Sequence, residues 1–250
     1  IRLHNVSRDS ISEIWESISS ADVVFHLATN YGRNAESIDG VFECNVGFAF
    51  DILKRSTNSE VPLFVAANTC FPIDYPYLRP YTLSKKQFAD WGKLLSEQSG
   101  TRFIDFALQH PYGPHDGTGK FVPWLMQKCL TNAATIDLTS GEQRKDFVFV
   151  ADVVDALFLL GQTIEKLPVG LTRMECGSGV ATCVREFVTR VHSIAQSKST
   201  LNFGAMEGRP GEPAVSVASI DRLQQLGWIP STQIDDGIRL TLNSMRESAR

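Results

Sequence analysis

Thr69, Tyr81 and Lys85 are the residues whose types and spacing could carry chemistry. In the run Tyr81-Thr82-Leu83-Ser84-Lys85 the phenol and the amine are four residues apart, so on a helix they share one face, one turn apart. A phenol with a pKa of about 10 is a poor acid or base at neutral pH, but a lysine ammonium beside it favours the phenolate and lowers that value. A tyrosine tuned in this way can pass a proton to or from the oxygen of a sugar or an alcohol. By itself the pair is also an ordinary feature of a solvated helix face. Thr69, twelve residues earlier, closes an apolar run that reads as a buried strand. At the carboxyl end of such a strand a hydroxyl can hydrogen-bond a carbonyl oxygen.

The elements that must position these groups follow from hydrophobic patterning. Residues 22–28 (DVVFHLA), 61–69 (VPLFVAANT) and 102–109 (RFIDFALQ) are short, nearly unbroken apolar runs, as expected of strands covered on both faces. Between them, at about 40–56 and 81–99, lie helix-length segments with apolar residues three and four apart. Strand alternating with helix implies right-handed βαβ crossovers and a parallel sheet. Such a sheet places its active site beyond the carboxyl ends of its strands, where Thr69 falls.

After residue 112 the rhythm changes. A Gly-, Pro- and Asp-rich loop leads to a helix at 121–132, short strands near 135–139 and 145–150, and a helix opened by Asp152. The tail carries RPGEP, LGWIP and a last helix from Asp235. The expected architecture is a doubly wound parallel α/β domain over 1–112, with residues 113–250 forming mainly a smaller α/β cap, some segments of which return to the sheet.

Composition narrows the classes of partner. Lys and Arg number 24 against 28 Asp and Glu, a net charge of −4, and no basic run exceeds two residues, which argues against nucleic acid. Cys44, Cys70, Cys129, Cys176 and Cys183 are scattered without a C-x-x-C pair, so neither a disulfide framework nor a metal site is expected and a reducing cytoplasm fits. No apolar run approaches the ~20 residues of a membrane span, and no membrane partner is expected.

With strand end, hydroxyl, phenol and amine in this order, the chain resembles the extended short-chain dehydrogenase/reductase family of nucleotide-sugar epimerases, dehydratases and reductases. The resemblance covers essentially the whole chain. DVVFHLA, the helix around Asn45-Val46, FVAANT, YTLSK, HPYGPHD, KFVP, GEQRKDFVFVADVVDA, ECGSG, RPGEP and LGWIP fall in family order. It implies a Rossmann-type fold, NAD or NADP as cofactor and a nucleotide-diphosphate sugar as substrate. By the same resemblance Thr69, Tyr81 and Lys85 are the catalytic hydroxyl, acid/base and lysine, and Lys85 also holds the nicotinamide ribose. Leu27 and Ala28 would line the dinucleotide with backbone groups, Asn45 would support the site from the neighbouring helix, and His110 is assigned to the cofactor side. Cys70, Lys120, Lys145 and Arg209 are assigned to the substrate, where cations offset the charge of a diphosphate. His26 reads as a packed strand residue, and the helices at 40–56 and 81–99 resemble those that pair into a homodimer in relatives.

Departures from the family pattern sharpen the expectation. The phosphate loop G-x-x-G-x-x-G and the residue that reads the adenosine ribose belong to an N-terminal βαβ unit. The chain starts near the family's third strand, so roughly 30 residues of such a unit are expected ahead of Ile1. Sugar dehydratases of the family carry an Asp and a Glu directly after the catalytic Thr; here Cys70 and Phe71 follow, and dehydration is not expected. Fucose-type epimerase-reductases pair a Cys with a loop His, but Lys120 stands at the matching loop position. Lys145 replaces the usual Arg and loses its bidentate geometry, with Arg144 beside it.

The short Thr69–Tyr81 interval, RPYTLSKKQF and GEQRKDF look most like the CDP-abequose and CDP-paratose synthase subgroup. That subgroup implies NAD(P)-dependent reduction of a 4-keto deoxygenated nucleotide sugar. The alternatives are a nucleotide-sugar 4-epimerase with the same three groups and a non-catalytic dinucleotide-binding sensor or scaffold on the same fold.

Overall fold

The computed structural model describes residues 10–18, 20–33 and 36–248. The chain opens with α1 (Ile11–Glu16), β1 (Val23–His26), α2 (Ile38–Phe42), a π-helical segment Glu43–Phe48, α3 (Ala49–Asn58), β2 (Leu63–Thr69), α4 (Arg79–Ser99) and β3 (Arg102–Leu108). Next come β4 (His110–Tyr112), α5 (Phe121–Leu130), β5 (Thr135–Leu138), β6 (Arg144–Lys145), β7 (Phe147–Phe149), α6 (Val150–Gln162) and β8 (Gly170–Cys176). The remainder is β9 (Thr182–Cys183), α7 (Val184–Ala195), β10 (Thr200–Phe203), β11 (Val215–Ser216), α8 (Asp221–Gln225) and α9 (Ile234–Ser248). Two compact units result, the first reaching to Ala107 and including Leu157–Met174, the second comprising Leu108–Ala156 and the chain from Glu175 onward.

The first unit is built on a sheet of strand order β1-β2-β3-β8, with β1 and β2 parallel and Val23 to His26 opposite Leu63 to Ala66. This is the parallel α/β arrangement that the apolar runs predict and the Rossmann type that the family resemblance implies. Leu63, Phe64 and Val65 are fully buried, as an unbroken apolar run requires when both faces of a strand are covered. α4 has Pro80 in its first turn and ends at Gly100, whose φ of +77° is a left-handed cap; the Gly100 amide returns to the Ser96 carbonyl at 3.1 Å. At Gly92 a Cβ would run into the Phe103 ring, so glycine lets α4 lie directly on β3. Phe103 stacks on Phe64 with centroids 5.6 Å apart, and Ala49, Leu53 and Phe88 close this core.

Two local expectations change. The helix foreseen at 40–56 is interrupted by the π turn at Glu43–Phe48. A widened turn of this kind re-aims its side chains, and here it delivers Asn45 to the loop after β1. That strand ends at His26, so Leu27 and Ala28 lie in the following loop rather than in the strand. His26 itself is buried against Phe48, Phe64 and Phe88.

In the second unit β4 pairs parallel with β7 and β5 with β10, while β6 lies between parallel β11 and antiparallel β9. Its core centres on Tyr112, Leu125, Phe147, Phe187 and Ile238, with Phe147 stacked on Phe187 at 3.9 Å. Asp152 does not open α6, which begins two residues earlier at Val150. Its buried carboxylate instead accepts hydrogen bonds from Ser231 N and Oγ and from Thr232 N, fastening the segment after LGWIP.

Candidate active site

The carboxyl end of β2 and the first turns of α4 bring Thr69, Tyr81 and Lys85 into the interior of the first unit, where they are 7%, 4% and 3% exposed. Tyr81 is fixed by a small aromatic cluster with Tyr75, Leu78, Tyr31 and Phe71; its ring centroid is 5.0 Å from that of Tyr31. Burial pushes the Tyr81 phenol well above its ordinary pKa, and the Tyr31 hydroxyl adds to the rise. The Thr69 hydroxyl hydrogen-bonds the phenol and pulls the other way, while Thr69 Oγ1 accepts the Phe71 amide at 3.2 Å. Lys85 follows one turn further along α4. Its Nζ donates to Thr29 Oγ1 and to the Ala67 carbonyl, each at 2.8 Å. Both acceptors are neutral, and burial drops the ammonium to about 8.

Asn45, 1% exposed, joins this group to the loop after β1. Its Oδ1 accepts the Asn30 amide at 2.8 Å, and its Nδ2 donates to the Asn30 carbonyl at 2.7 Å and to Ser84 Oγ at 3.0 Å. Ser84 lies on the same helix as Tyr81 and Lys85, so one amide side chain spans from α4 to that loop. Leu27 and Ala28, next to Thr29 in that loop, are exposed. Exposed backbone beside a buried ammonium and a hydroxyl is a donor and acceptor set that fits the ribose and amide edges of a dinucleotide.

Three residues with no part in the sequence expectation surround Thr69. Asn68 accepts the Thr69 amide at 2.7 Å through Oδ1 and donates through Nδ2 to Asp105. Asp105, 5% exposed on β3, pairs with Arg173 Nη1 at 2.7 Å, and Arg173 Nη2 donates to the Thr69 carbonyl at 3.2 Å. A cavity of about 180 Å³ lies beside them, lined also by Thr82 and Lys86. The signal for this network is Asp105 itself, an acid in the middle of the apolar run RFIDFAL.

The residues assigned to substrate, and His110, are distributed otherwise. Cys70 follows Thr69 in the first unit and is half-buried. In the second unit Lys145 is 3% exposed and pairs with Glu212 Oε1 at 3.0 Å. Glu212 reaches it through a turn in which its amide donates to the Arg209 carbonyl at 3.1 Å. Arg209 is exposed. His110 neighbours Lys145; burial first and that charge second lower its imidazole to about 4. Next in sequence, Asp146 is fully buried and accepts from Ser178 N and Oγ, Gly179 N and Ala218 N, which locks the strand carrying Lys145. Lys120 stands apart at the start of α5, paired with Asp116 at 2.7 Å. Arg144, expected beside Lys145, donates to the Ala181 carbonyl. Among the described residues no group of three or more His, Cys, Asp or Glu could hold a metal ion, and no helix is long and apolar enough to cross a membrane.

The fold and this buried Thr-Tyr-Lys arrangement define a Rossmann-type enzyme class. The model of the NAD dependent epimerase/dehydratase family matches residues 2–172, and the chain belongs to that family. A CDP-abequose synthase of Salmonella muenchen is 30% identical over 241 residues, 95% of this chain and 81% of that protein. A dTDP-4-dehydro-6-deoxyglucose reductase of Escherichia coli is 23% identical over 262 residues, 96% of this chain and 80% of that protein. Among solved structures, a UDP-glucose 4-epimerase of Thermus thermophilus in complex with NAD superposes with a TM-score of 0.80 at 20% identity, over 96% of this chain and 82% of that one.

Proposed function

We propose that the protein reduces the 4-keto group of a deoxygenated nucleotide-diphosphate hexose, with NAD or NADP as the cofactor. The observation that carries this is the joint burial of Thr69, Tyr81 and Lys85 at the end of β2, followed by Cys70 and Phe71 where a dehydratase needs carboxylates. Similarity to a CDP-abequose synthase and to a dTDP-4-dehydro-6-deoxyglucose reductase supports it. The bound dinucleotide supplies the hydride. Tyr81, kept protonated across the neutral range by burial, gives its proton to the C4 oxygen. The Thr69 hydroxyl, steadied by the Phe71 amide, orients that oxygen. Lys85 and Thr29 face the ribose, Leu27 and Ala28 offer backbone to the dinucleotide, and Asn45 holds their loop on the catalytic helix.

We assign residues 1–112 to the dinucleotide and 113–250 mainly to the nucleotide sugar. There Lys145 would exchange the Glu212 carboxylate for a diphosphate oxygen, with Arg209 and Lys120 completing the polar lining, while His110 stays on the dinucleotide side. The five cysteines are all free thiols, which suits a reducing cytoplasm. The exposed apolar residues Phe42 and Trp91, with Leu83 and Leu94, mark the helical face we assign to a homodimer.

The protein should oxidise reduced dinucleotide in proportion to product when given a 4-keto-6-deoxy nucleotide hexose. A 6-hydroxy nucleotide hexose should yield no 4-keto-6-deoxy product. Interconversion of C4 epimers without net use of cofactor would make it a 4-epimerase instead.

A further inference from the structure

Thr69 ends its strand beyond the reach of β1, whose last paired residue, His26, lies opposite Ala66. Its backbone N–H and C=O are taken up by side chains: Asn68 Oδ1 accepts the N–H at 2.7 Å, and Arg173 Nη2 donates to the C=O at 3.2 Å. Asp105 closes the ring, accepting from Asn68 on one oxygen and from Arg173 Nη1, at 2.7 Å, on the other. We propose that Arg173 and Asp105 are positioning residues that hold the Thr69 hydroxyl in register with the reacting oxygen; the inference rests on Thr69 being the catalytic hydroxyl.

The arrangement is costly unless it does something. Asp105 is a carboxylate 5% exposed inside an apolar strand, and a buried charge is tolerated only when paired and hydrogen-bonded. A simple staple between β3 and β8 would need one Arg–Asp bond. Arg173 does more: it comes from β8, two strands away from β2 in the sheet, and reaches past β3 to Thr69. The planar guanidinium fork serves the carboxylate and the carbonyl at once, which a lysine ammonium on a shorter stem cannot reproduce. The Asp105 charge also acts on Lys85, opposing the burial that lowers its ammonium. One carboxylate therefore bears on two of the three catalytic groups.

The test uses Arg173→Lys, which keeps the charge beside Asp105, and Arg173→Met, each in the wild-type and Thr69→Ala backgrounds. A misplacement of about 1 Å near the chemistry costs on the order of 100-fold. Arg173→Lys should therefore lower kcat roughly 10- to 100-fold, leave KM for the dinucleotide within about twofold, and cost nothing further once Thr69 is alanine. Amide hydrogen exchange, read without any substrate, should quicken at Thr69 and Phe71 while β3 and α4 keep their protection.

An equal loss in both backgrounds, a loss under about twofold, or exchange quickening throughout β2, β3 and β8 overturns the proposal and leaves the pair a staple. Should Arg173→Met fail to fold, Arg173→Lys carries the same comparison. If the wild-type protein turns over no 4-keto nucleotide sugar, the reductase reading fails, and exchange at Thr69 and Phe71 still decides the positioning: quickened there alone it stands, unchanged it falls.

Discussion

Each unit buries one lysine beside one histidine, and the two lysines are held in opposite ways. Lys85 and Lys145 are both 3% exposed, and both neighbouring imidazoles, His26 and His110, are lowered to about 4 by burial first and by the adjacent ammonium second. Lys145 meets the Glu212 carboxylate at 3.0 Å, whereas Lys85 donates to a threonine hydroxyl and a backbone carbonyl, and its pKa falls to about 8. Taking an ammonium out of water without a carboxylate is unfavourable for folding. Lys85 thus gains little for folding from its charge, whereas Lys145 is held in an ion pair.

The largest effect is expected at the phenol one turn along α4 from Lys85. Tyr81→Phe should lower turnover by about 10²- to 10⁴-fold, the usual share of a general acid, with dinucleotide affinity unchanged within a few fold. Retention of more than about a tenth of the activity would show that another group supplies the proton.

Next in size is the effect on stability of removing each lysine. Lys145→Met strands Glu212 beside apolar surface and should cost about 3 kcal/mol in denaturant unfolding. Lys85→Met removes an ammonium whose direct hydrogen-bond acceptors are both neutral and should cost less than about 1 kcal/mol, or stabilise. Equal losses would erase the distinction between the two.

The smallest effect is a pH dependence. Lys85 titrates near 8 in the folded protein against 10.5 for an ordinary lysine. Between those values the unfolded chain carries a proton that the folded one has released, so raising the pH through this window favours the folded state. Lys85→Met lacks the group, so wild type should gain between about 2 and 3 kcal/mol on this variant from pH 8 to 10.5. A flat difference would mean that burial does not depress Lys85.

Much of the frame is legible in the sequence because apolar runs and helical spacing report burial directly: β1, β2, β3 and α4 lie where DVVFHLA, VPLFVAANT, RFIDFALQ and the YTLSK helix lead one to expect them. The π turn is not legible, since one extra residue in a turn leaves three- and four-residue spacing nearly intact; Asn45 reveals it only through its three hydrogen bonds. α7, absent from the expected elements, does carry a signal: its stripe Val184, Phe187, Val188 and Val191 has the period of a helix buried on one face. At the site, residue types point to Thr69, Tyr81 and Lys85, but not to the partners that bear on them. Thr29, Asn68, Asp105 and Arg173 come from three strands and a loop and meet only in the fold. The lysine's own partners are hidden in the same way. Sequence places Tyr81 and Lys85 one turn apart but cannot show that Nζ turns to Thr29 and Ala67.

Whether the buried Thr69, Tyr81 and Lys85 group serves a reduction at C4 is decided by isotope transfer. The protein would be given a 4-keto-6-deoxy nucleotide hexose and reduced dinucleotide deuterated at the transferring position, and the product examined by NMR and mass spectrometry. One deuterium should appear at C4 for each cofactor oxidised, and that transfer should be lost in Tyr81→Phe. Product without deuterium at C4, or sugar epimers interconverting while the cofactor stays reduced, would contradict a reduction at C4.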